Sequence, residues 1–337
     1  MHPDSIERIT IRGFKSIAGI EDLELRPINI LIGANGSGKS NFIELFELLR
    51  AAFDDRLDYY VKLTGNVDRL VHFGPKSTMQ IYVKLCYGNQ TISEFSIAPN
   101  RAGSLLAQFY TEHPAPIPDS WRTWRVYHFH DTSSSSPMRK TAKLDDNTFL
   151  RPDGSNLAAF LYFLGQKNQD SYRLIRDTIR QVAPFFDDFD LKPLNLSPSD
   201  IKLEWRHKDS DAYFDASYLS DGTLRFVALA TLFLQPEKCL PSLVLLDEPE
   251  LGLHPYAIEL LAAMIRRASV DTQVIVSTQS SRLVDYFEPE DILVADLVDR
   301  GTQIRRLDSS QLDSWLKEYS LGELWEKNEF GGRPVPA

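Results

Sequence analysis

A chain of 337 residues, 43% of them hydrophobic, carries enough apolar side chain for a buried core and suits two or three units or one large α/β domain with an insertion. Its 47 acidic against 37 basic residues leave a net charge of −10, which excludes a general-purpose nucleic-acid coat. Cys86 and Cys239 stand far apart without a pairing pattern. The longest uncharged apolar stretch, Phe226 to Leu234, is too short to span a bilayer, and the N-terminus has neither a basic start nor an apolar core, so the expectation is a cytoplasmic protein with no membrane partner.

Residues 5–12 alternate as a strand does, and Gly13 to Gly19 read as a turn and a returning strand. Ile28 to Ile32 form an apolar strand that runs into Gly-Ala-Asn-Gly-Ser-Gly-Lys-Ser at 33–40, and Asn41 to Ala52 follow with apolar residues at helical spacing. Strand, glycine-rich loop and helix in that order make a phosphate-binding loop with Gly33, Gly38, Lys39 and Ser40 in its defining positions. Glycines let successive backbone N–H groups point at phosphate oxygens, and the helix N-terminus adds partial positive charge. The expected nucleotide ligands are Gly33, Asn35, Gly36, Ser37, Gly38, Lys39, Ser40 and Asn41. Lys39 is expected to reach the β- and γ-phosphates of ATP and Ser40 to sit on Mg²⁺.

Gln80 to Tyr87 and Thr91 to Ile97 read as a hairpin turning at Gly88-Asn89. Residues 98–155 are rich in proline and serine turns, with strand character only at Thr123 to Phe129. Asn156 to Leu164 and Tyr172 to Val182 are helical. The expected organisation is therefore one domain made of 1–100 and 201–337, interrupted by a loop-rich and helical lobe at 101–200. Trp121, Trp124 and Tyr127 read either as an interface or as the core of that lobe. The clusters Arg173/Arg176/Arg180 and Arg266/Arg267 read as solvated helix faces before they read as a basic groove.

Further on, Gly222 to Leu234 is an apolar helix, Ser242 to Leu246 a strand buried on both faces, Pro255 to Ala268 a helix and Gln273 to Ser277 another buried strand. Ile292 to Ala295 and Thr302 to Leu307 extend the sheet, and the alternation argues α/β. Leu243 to Glu248 place two acids at the end of an apolar run. Asp247 is the expected Mg²⁺ ligand and Glu248 the residue that orients and polarises the attacking water. One helix and one strand earlier lies Tyr218-Leu219-Ser220-Asp221-Gly222-Thr223, where Ser220 is a good N-cap for the apolar helix.

On these residues the chain resembles an ABC-type ATPase of the branch that holds RecF, Rad50, SMC heads and the OLD-family nucleases. Leu-Ser-Asp-Gly-Thr resembles the signature ahead of Walker B, Ile-Arg-Gly-Phe-Lys-Ser-Ile the opening strand and turn, and Glu250 to Pro255 the D-loop. The likeness covers about 1–97 and 205–337. It is nearest to short single-domain ATPases of the AAA_21 kind, whose ends read like Ser-Leu-Gly-Glu-Leu-Trp (320–325) and Gly-Gly-Arg-Pro (331–334). The resemblance implies an ABC-type P-loop NTPase head with an antiparallel β subdomain and an inserted helical lobe. It implies a homodimer, or a higher assembly built on one, with ATP at the interface. Ser220, Asp221 and Gly222 of one copy then face the nucleotide of the other. The family places a histidine after the strand that follows Walker B. Here Gln279 stands there, a residue that hydrogen-bonds but carries no charge, so hydrolysis is expected to be slow or partner-stimulated. Gln80 is a weak candidate for the Q-loop glutamine, and Lys15 reads as a surface lysine or a nucleotide contact.

Several features of related proteins are missing from the sequence. Residues 101–200 hold no sustained heptads, and no acidic set after Asp296 reads as a metal nuclease. Asp296 with Asp299 read as turn carboxylates, and His128 with His130 alternate on one strand face without further ligands nearby. The expected role is an ATP-driven switch that senses or clamps nucleic acid and controls a separately encoded, nuclease-like effector, as in anti-phage defence. The alternative is a RecF-like repair clamp that acts without a nuclease. Gln279 and the signature fit a transporter ATPase poorly, and a metabolic kinase leaves the signature helix unexplained.

Overall fold

An alternating strand that meets Gly13, turns and alternates back folds as an antiparallel pair, β1 (Ile6–Phe14) and β2 (Ile17–Glu24). The computed structural model describes residues 4–65, 67–74, 76–88, 91–99, 105–110 and 117–332. The expected turn at Asn89, most of the 113–118 turn and Arg333-Pro334 lie outside them. By packing, the chain divides into a first unit (Met1–Val126, Pro241–Asp247, Thr272–Ala337) and a second (Tyr127–Leu240, Glu248–Asp271). These limits differ from 100 and 200. The physical reason is that the helix opened by Ser220 packs with the lobe's helices, and the one opened by His254 packs on that helix in turn.

In the first unit, β3 (Ile28–Gly33) is buried at every position and feeds α1 (Lys39–Phe53) and α2 (Leu57–Thr64). The hairpin β4 (Ile81–Tyr87) and β5 (Thr91–Pro99), extended by β6 (Leu105–Tyr110), joins the opening strands in a five-stranded sheet ordered β2-β1-β4-β5-β6. Strand character expected over 123–129 is confined to β7 (Arg125–Tyr127), because Asp119–Thr123 coil into a 3-10 turn instead. Trp121 and Trp124 form neither an interface nor a lobe core. Both are buried against Phe53, and Trp124 also meets the edge of Phe46, so they belong to the first unit's core. Burying each such aromatic is worth about 1.5–3 kcal/mol, which fixes α1 against the antiparallel sheet.

The second unit opens with β8 (Ala142–Lys143), the helices α3 (Leu157–Lys167) and α4 (Gln169–Val182), and short antiparallel strands β9 (Phe186–Phe189), β10 (Pro193–Leu194), β11 (Ser197–Ile201), β12 (Glu204–His207) and β13 (Tyr213–Asp215). It is completed by α5 (Asp221–Leu234), buried from Leu224 to Leu234, and α6 (Pro255–Ala268). His254 caps α6 by accepting the Tyr256 N–H on Nδ1 at 3.2 Å. Tyr127 is buried here and donates to the Leu150 carbonyl. The Arg173/Arg176/Arg180 cluster on α4 forms no open basic groove: Arg176 and Arg180 pair with Asp177, Asp187 and Asp188, and Arg173 with Asp170.

The chain returns to the first unit through β14 (Leu243–Asp247), β15 (Gln273–Ser277), the single-turn helix α7 (Ser281–Val284), the hairpin β16 (Ile292–Val298) and β17 (Gly301–Arg306), and α8 (Leu321–Glu326). The sheet order is β17-β16-β3-β15-β14-β7. Strands β16, β3, β15 and β14 run parallel, with Ala295 beside Gly33, Ser277 beside Leu31 and Asp247 beside Ser277. That register brings Gly33, Asp247, Ser277 and Ala295 to one edge, the carboxyl end where open α/β sheets bind ligands. Asn29, buried within β3, is satisfied by the Arg26 backbone, its Oδ1 accepting the N–H and its Nδ2 donating to the carbonyl. Asp299 and Arg300 turn the last hairpin at φ 48° and 66°, the left-handed pair that a two-residue hairpin turn requires. No helix of the described residues is long and apolar enough to cross a membrane. Both cysteines are free, and burial pushes the Cys86 thiol above its ordinary pKa.

Candidate nucleotide-binding site

The phosphate loop needs glycine for two separate reasons. Gly36 has open space around it but φ +82°, a left-handed conformation that side chains resist. Gly38 combines φ +99° with close approach: a Cβ there would lie 2.0 Å from Thr302 Oγ1 and 2.7 Å from Ser16 Oγ. Those hydroxyls form a relay under the loop. Asn41 Nδ2 donates to Ser16 Oγ at 2.7 Å, Ser16 and Thr302 hydroxyls share a hydrogen bond at 2.7 Å, and Thr302 Oγ1 donates to the Ser37 carbonyl at 2.9 Å. The loop is therefore held from the β1–β2 turn and from β17 as well as by its own strand and helix. Sequence reasoning missed Ser16 and Thr302.

The ends of the parallel strands deliver the remaining groups of this unit. Lys39 is 5% exposed and donates from Nζ to the Gly33 carbonyl at 2.7 Å and to that of Ala34 at 3.0 Å, folding over its own loop. Ser40 Oγ lies 3.1 Å from Asp247 Oδ2. A hydroxyl and a carboxylate this close beside a phosphate cradle are the hard oxygen donors that suit Mg²⁺. Asn35 and Gln279 line a cleft of about 240 Å³ with Gly33, Ala34, Ser281, Trp325, Glu326 and Gly332. The Gln279 segment is anchored by Thr278, whose N–H donates to the Leu31 carbonyl at 3.0 Å and whose Oγ1 accepts from the Ser280 N–H at 3.0 Å.

On the other flank of α1, Lys15, Asn41, Arg69 and Phe73 help to line a wider cleft of about 570 Å³. Lys15 is no free surface lysine, since its ammonium pairs with Glu44 and burial lowers its pKa. Its carbonyl is 2.7 Å from His72 Nδ1, which fastens the β1–β2 turn to the 67–74 segment. Gln80 lies outside both clefts, and its Oε1 accepts from Ser96 Oγ at 2.6 Å.

In the second unit Ser220 caps α5, its Oγ accepting the Thr223 N–H at 3.2 Å, and both Ser220 and Asp221 are exposed. Asp221 is held by Arg139, whose Nη2 lies 3.0 Å from Oδ1 and whose guanidinium also donates to the carbonyls of Thr132, Ala216 and Leu219. The Asp221 carboxylate is thus neutralised from behind. Gly222 is required by contact, because a Cβ would fall 2.5 Å from the Gly252 carbonyl. Arg225, 5% exposed, donates to the carbonyls of Phe129 and His130, and burial lowers its pKa. An arginine within an apolar helix was the available signal for Arg225; nothing in the sequence marked Arg139. Glu248 directly follows Asp247 in the chain and has φ +43°, a strained conformation of the kind found at functional positions.

Among the described residues no group of His, Cys, Asp or Glu could hold a metal by itself. Asp296 accepts the Gly332 N–H at 2.7 Å, and His128 and His130 follow β7 rather than lie on a strand.

A phosphate loop, a serine–aspartate pair at the carboxyl edge of a parallel sheet and an adjoining antiparallel sheet define an ABC-type P-loop NTPase head. The SMC head bound to the C-winged helix domain of ScpA shares this fold with a TM-score of 0.64 at 16% identity, covering 91% of this chain and 99% of that one. An SMC head with an extended coiled coil from Pyrococcus furiosus gives 0.63 at 14% identity, covering 93% and 98%. The chain belongs to the AAA_21 family, described as "AAA domain, putative AbiEii toxin, Type IV TA system", whose model matches residues 28–285. It is also 22% identical over 364 residues to an OLD nuclease of Thermus scotoductus, covering 94% of this chain and 67% of that protein. To the Old nuclease of Escherichia phage P2 it is 22% identical over 367 residues, covering 93% of this chain and 62% of that one. The chain thus spans about two thirds of the first nuclease and less than two thirds of the second.

Proposed function

We propose that the protein is an ATP-hydrolysing switch that closes as a homodimer around two nucleotides and governs a nuclease-like effector carried by another protein. The observation that carries the reading is Ser40 Oγ 3.1 Å from Asp247 Oδ2 beneath a loop whose lysine reaches its own first carbonyl. In this reading Lys39 grips the β- and γ-phosphate oxygens, and Ser40 and Asp247 hold Mg²⁺, which supplies positive charge to the phosphates. Glu248 takes a proton from the attacking water as its oxygen bonds to the γ-phosphorus and the bond to the β–γ bridging oxygen breaks, leaving ADP and phosphate. Gln279 hydrogen-bonds the γ-phosphate or that water without adding charge, which slows turnover. The cleft beside Lys15 and Phe73 receives the nucleoside.

The exposed N-terminus of α5, with Ser220 and Gly222, supplies donors to the γ-phosphate bound by the other copy. A γ-phosphate then completes an anion site that neither copy completes alone, so ATP favours the closed dimer and hydrolysis releases it. The likeness to OLD nucleases supports an association with a nuclease, and in this reading the switch senses nucleic acid and serves anti-phage defence. Light scattering on the Glu248→Gln variant tests the switch: ATP with Mg²⁺ is expected to double the mass while ADP does not. An unchanged mass with saturating ATP would remove the dimer from the account.

A further inference from the structure

The stretch after β17 runs back to the phosphate edge and is clamped on both sides of it. Gly322 N–H donates to Asp285 Oδ1 at 2.6 Å and Ser281 Oγ donates to Glu326 Oε1 at 2.6 Å, fixing α8 to the segment that begins at Gln279. At its far end Gly332 N–H donates to Asp296 Oδ1 at 2.7 Å, Arg305 donates to the Phe330 carbonyl, and the Trp325 indole N–H reaches the Gly332 carbonyl at 3.4 Å. Gly331 and Gly332 have φ +84° and +80°, and a Cβ on Gly332 would lie 3.5 Å from the Gly33 Cα. The glycine pair therefore lays the backbone directly on the first residue of the phosphate loop. Trp325, Glu326 and Gly332 share one cleft with Asn35 and Gln279.

We propose that residues 321–332 form part of the catalytic apparatus, with Ser281 and Glu326 as positioning residues that hold Gln279 in place toward the γ-phosphate. This rests on the reading of the phosphate loop as an ATP site. Gln279 is exposed and sits in a short connection between β15 and a single-turn helix. Thr278 pins it on one side, and the hydrogen bond from Ser281 to Glu326 pins it on the other. The helix beyond is too short to hold that position by itself. Glu326 is itself exposed, and it acts through the hydrogen bond it accepts from Ser281.

Steady-state turnover of the full chain decides the matter. Glu326→Ala and Ser281→Ala are expected to lower kcat about 10-fold with KM for ATP within about 2-fold of wild type, because the bond orients a group and does not bind substrate. Glu326→Gln keeps an acceptor for Ser281 and is expected to restore kcat to within about 2-fold of wild type. Unchanged kcat in Glu326→Ala, beside turnover that Lys39→Ala abolishes, would overturn the positioning role and leave the ATP site standing. A Gln variant as slow as the Ala variant would also overturn it, since charge rather than the hydrogen bond would then matter. Wild-type turnover that survives Lys39→Ala would instead refute the ATP-site reading, and this proposal with it.

Discussion

Lys39→Ala is expected to weaken ATP binding about 100-fold, a loss of about 3 kcal/mol, read by titration with a fluorescent ATP analogue. The ammonium is nearly buried and is held by the carbonyls of Gly33 and Ala34, so it is pre-oriented at the mouth of the loop. Removing it deletes the one cation of the 33–40 segment and leaves the loop's N–H groups to hold the phosphates alone. Those two carbonyls also lose a partner, and the bond to Gly33 is buried while that to Ala34 is partly so. The melting temperature without nucleotide is therefore expected to fall by about 2–4 °C, while stabilisation by ATP disappears. Equal binding by variant and wild type would show that phosphate is gripped elsewhere.

Glu248→Gln is expected to separate binding from chemistry. Turnover should fall about 1,000-fold, within the range for loss of a general base, while ATP affinity stays within about 3-fold. The substitution is a clean one at this position. Glutamine has the same length as glutamate and meets the same left-handed backbone at φ +43°, so strain is not altered. What is lost is the capacity to accept a proton. The measurement is phosphate release in single-turnover mode, and a variant retaining more than about a tenth of wild-type rate would assign the base to another residue.

Much of this site is readable without a structure because its strands are buried on both faces. Such strands must be continuous apolar runs, and β15 at Gln273–Ser277 and α6 at Pro255–Ala268 fall on the residues the pattern predicts. Glycines with a steric duty, such as Gly33 and Gly38, stand in the motif for the same reason. What pattern could not supply is contact between distant segments. Ser16 and Thr302 meet across 286 positions of sequence, and no local period marks either one. Trp121 and Trp124 sit in a proline-rich stretch that resembles surface loop, yet Phe53 and Phe46 enclose them. Arg139 follows a run of serines, and only the folded chain shows that it cancels the charge of Asp221. The signature helix likewise reads as part of the ATPase half of the sequence, although it packs with α4 and α6.

The central claim is that each nucleotide is gripped by Lys39 of one copy and Ser220 of the other. A mixing experiment in a Glu248→Gln background tests it most directly. Lys39→Ala loses the cis half of both sites and Ser220→Arg the trans half, so neither variant should dimerise with ATP by itself. Combined in equal amounts, they can rebuild one intact site per pair, and analytical ultracentrifugation should then show a heterodimer holding one ATP. A mixture that stays monomeric at ATP concentrations where the Glu248→Gln parent is fully dimeric would contradict the shared site, as would a Ser220→Arg variant that dimerises unaided.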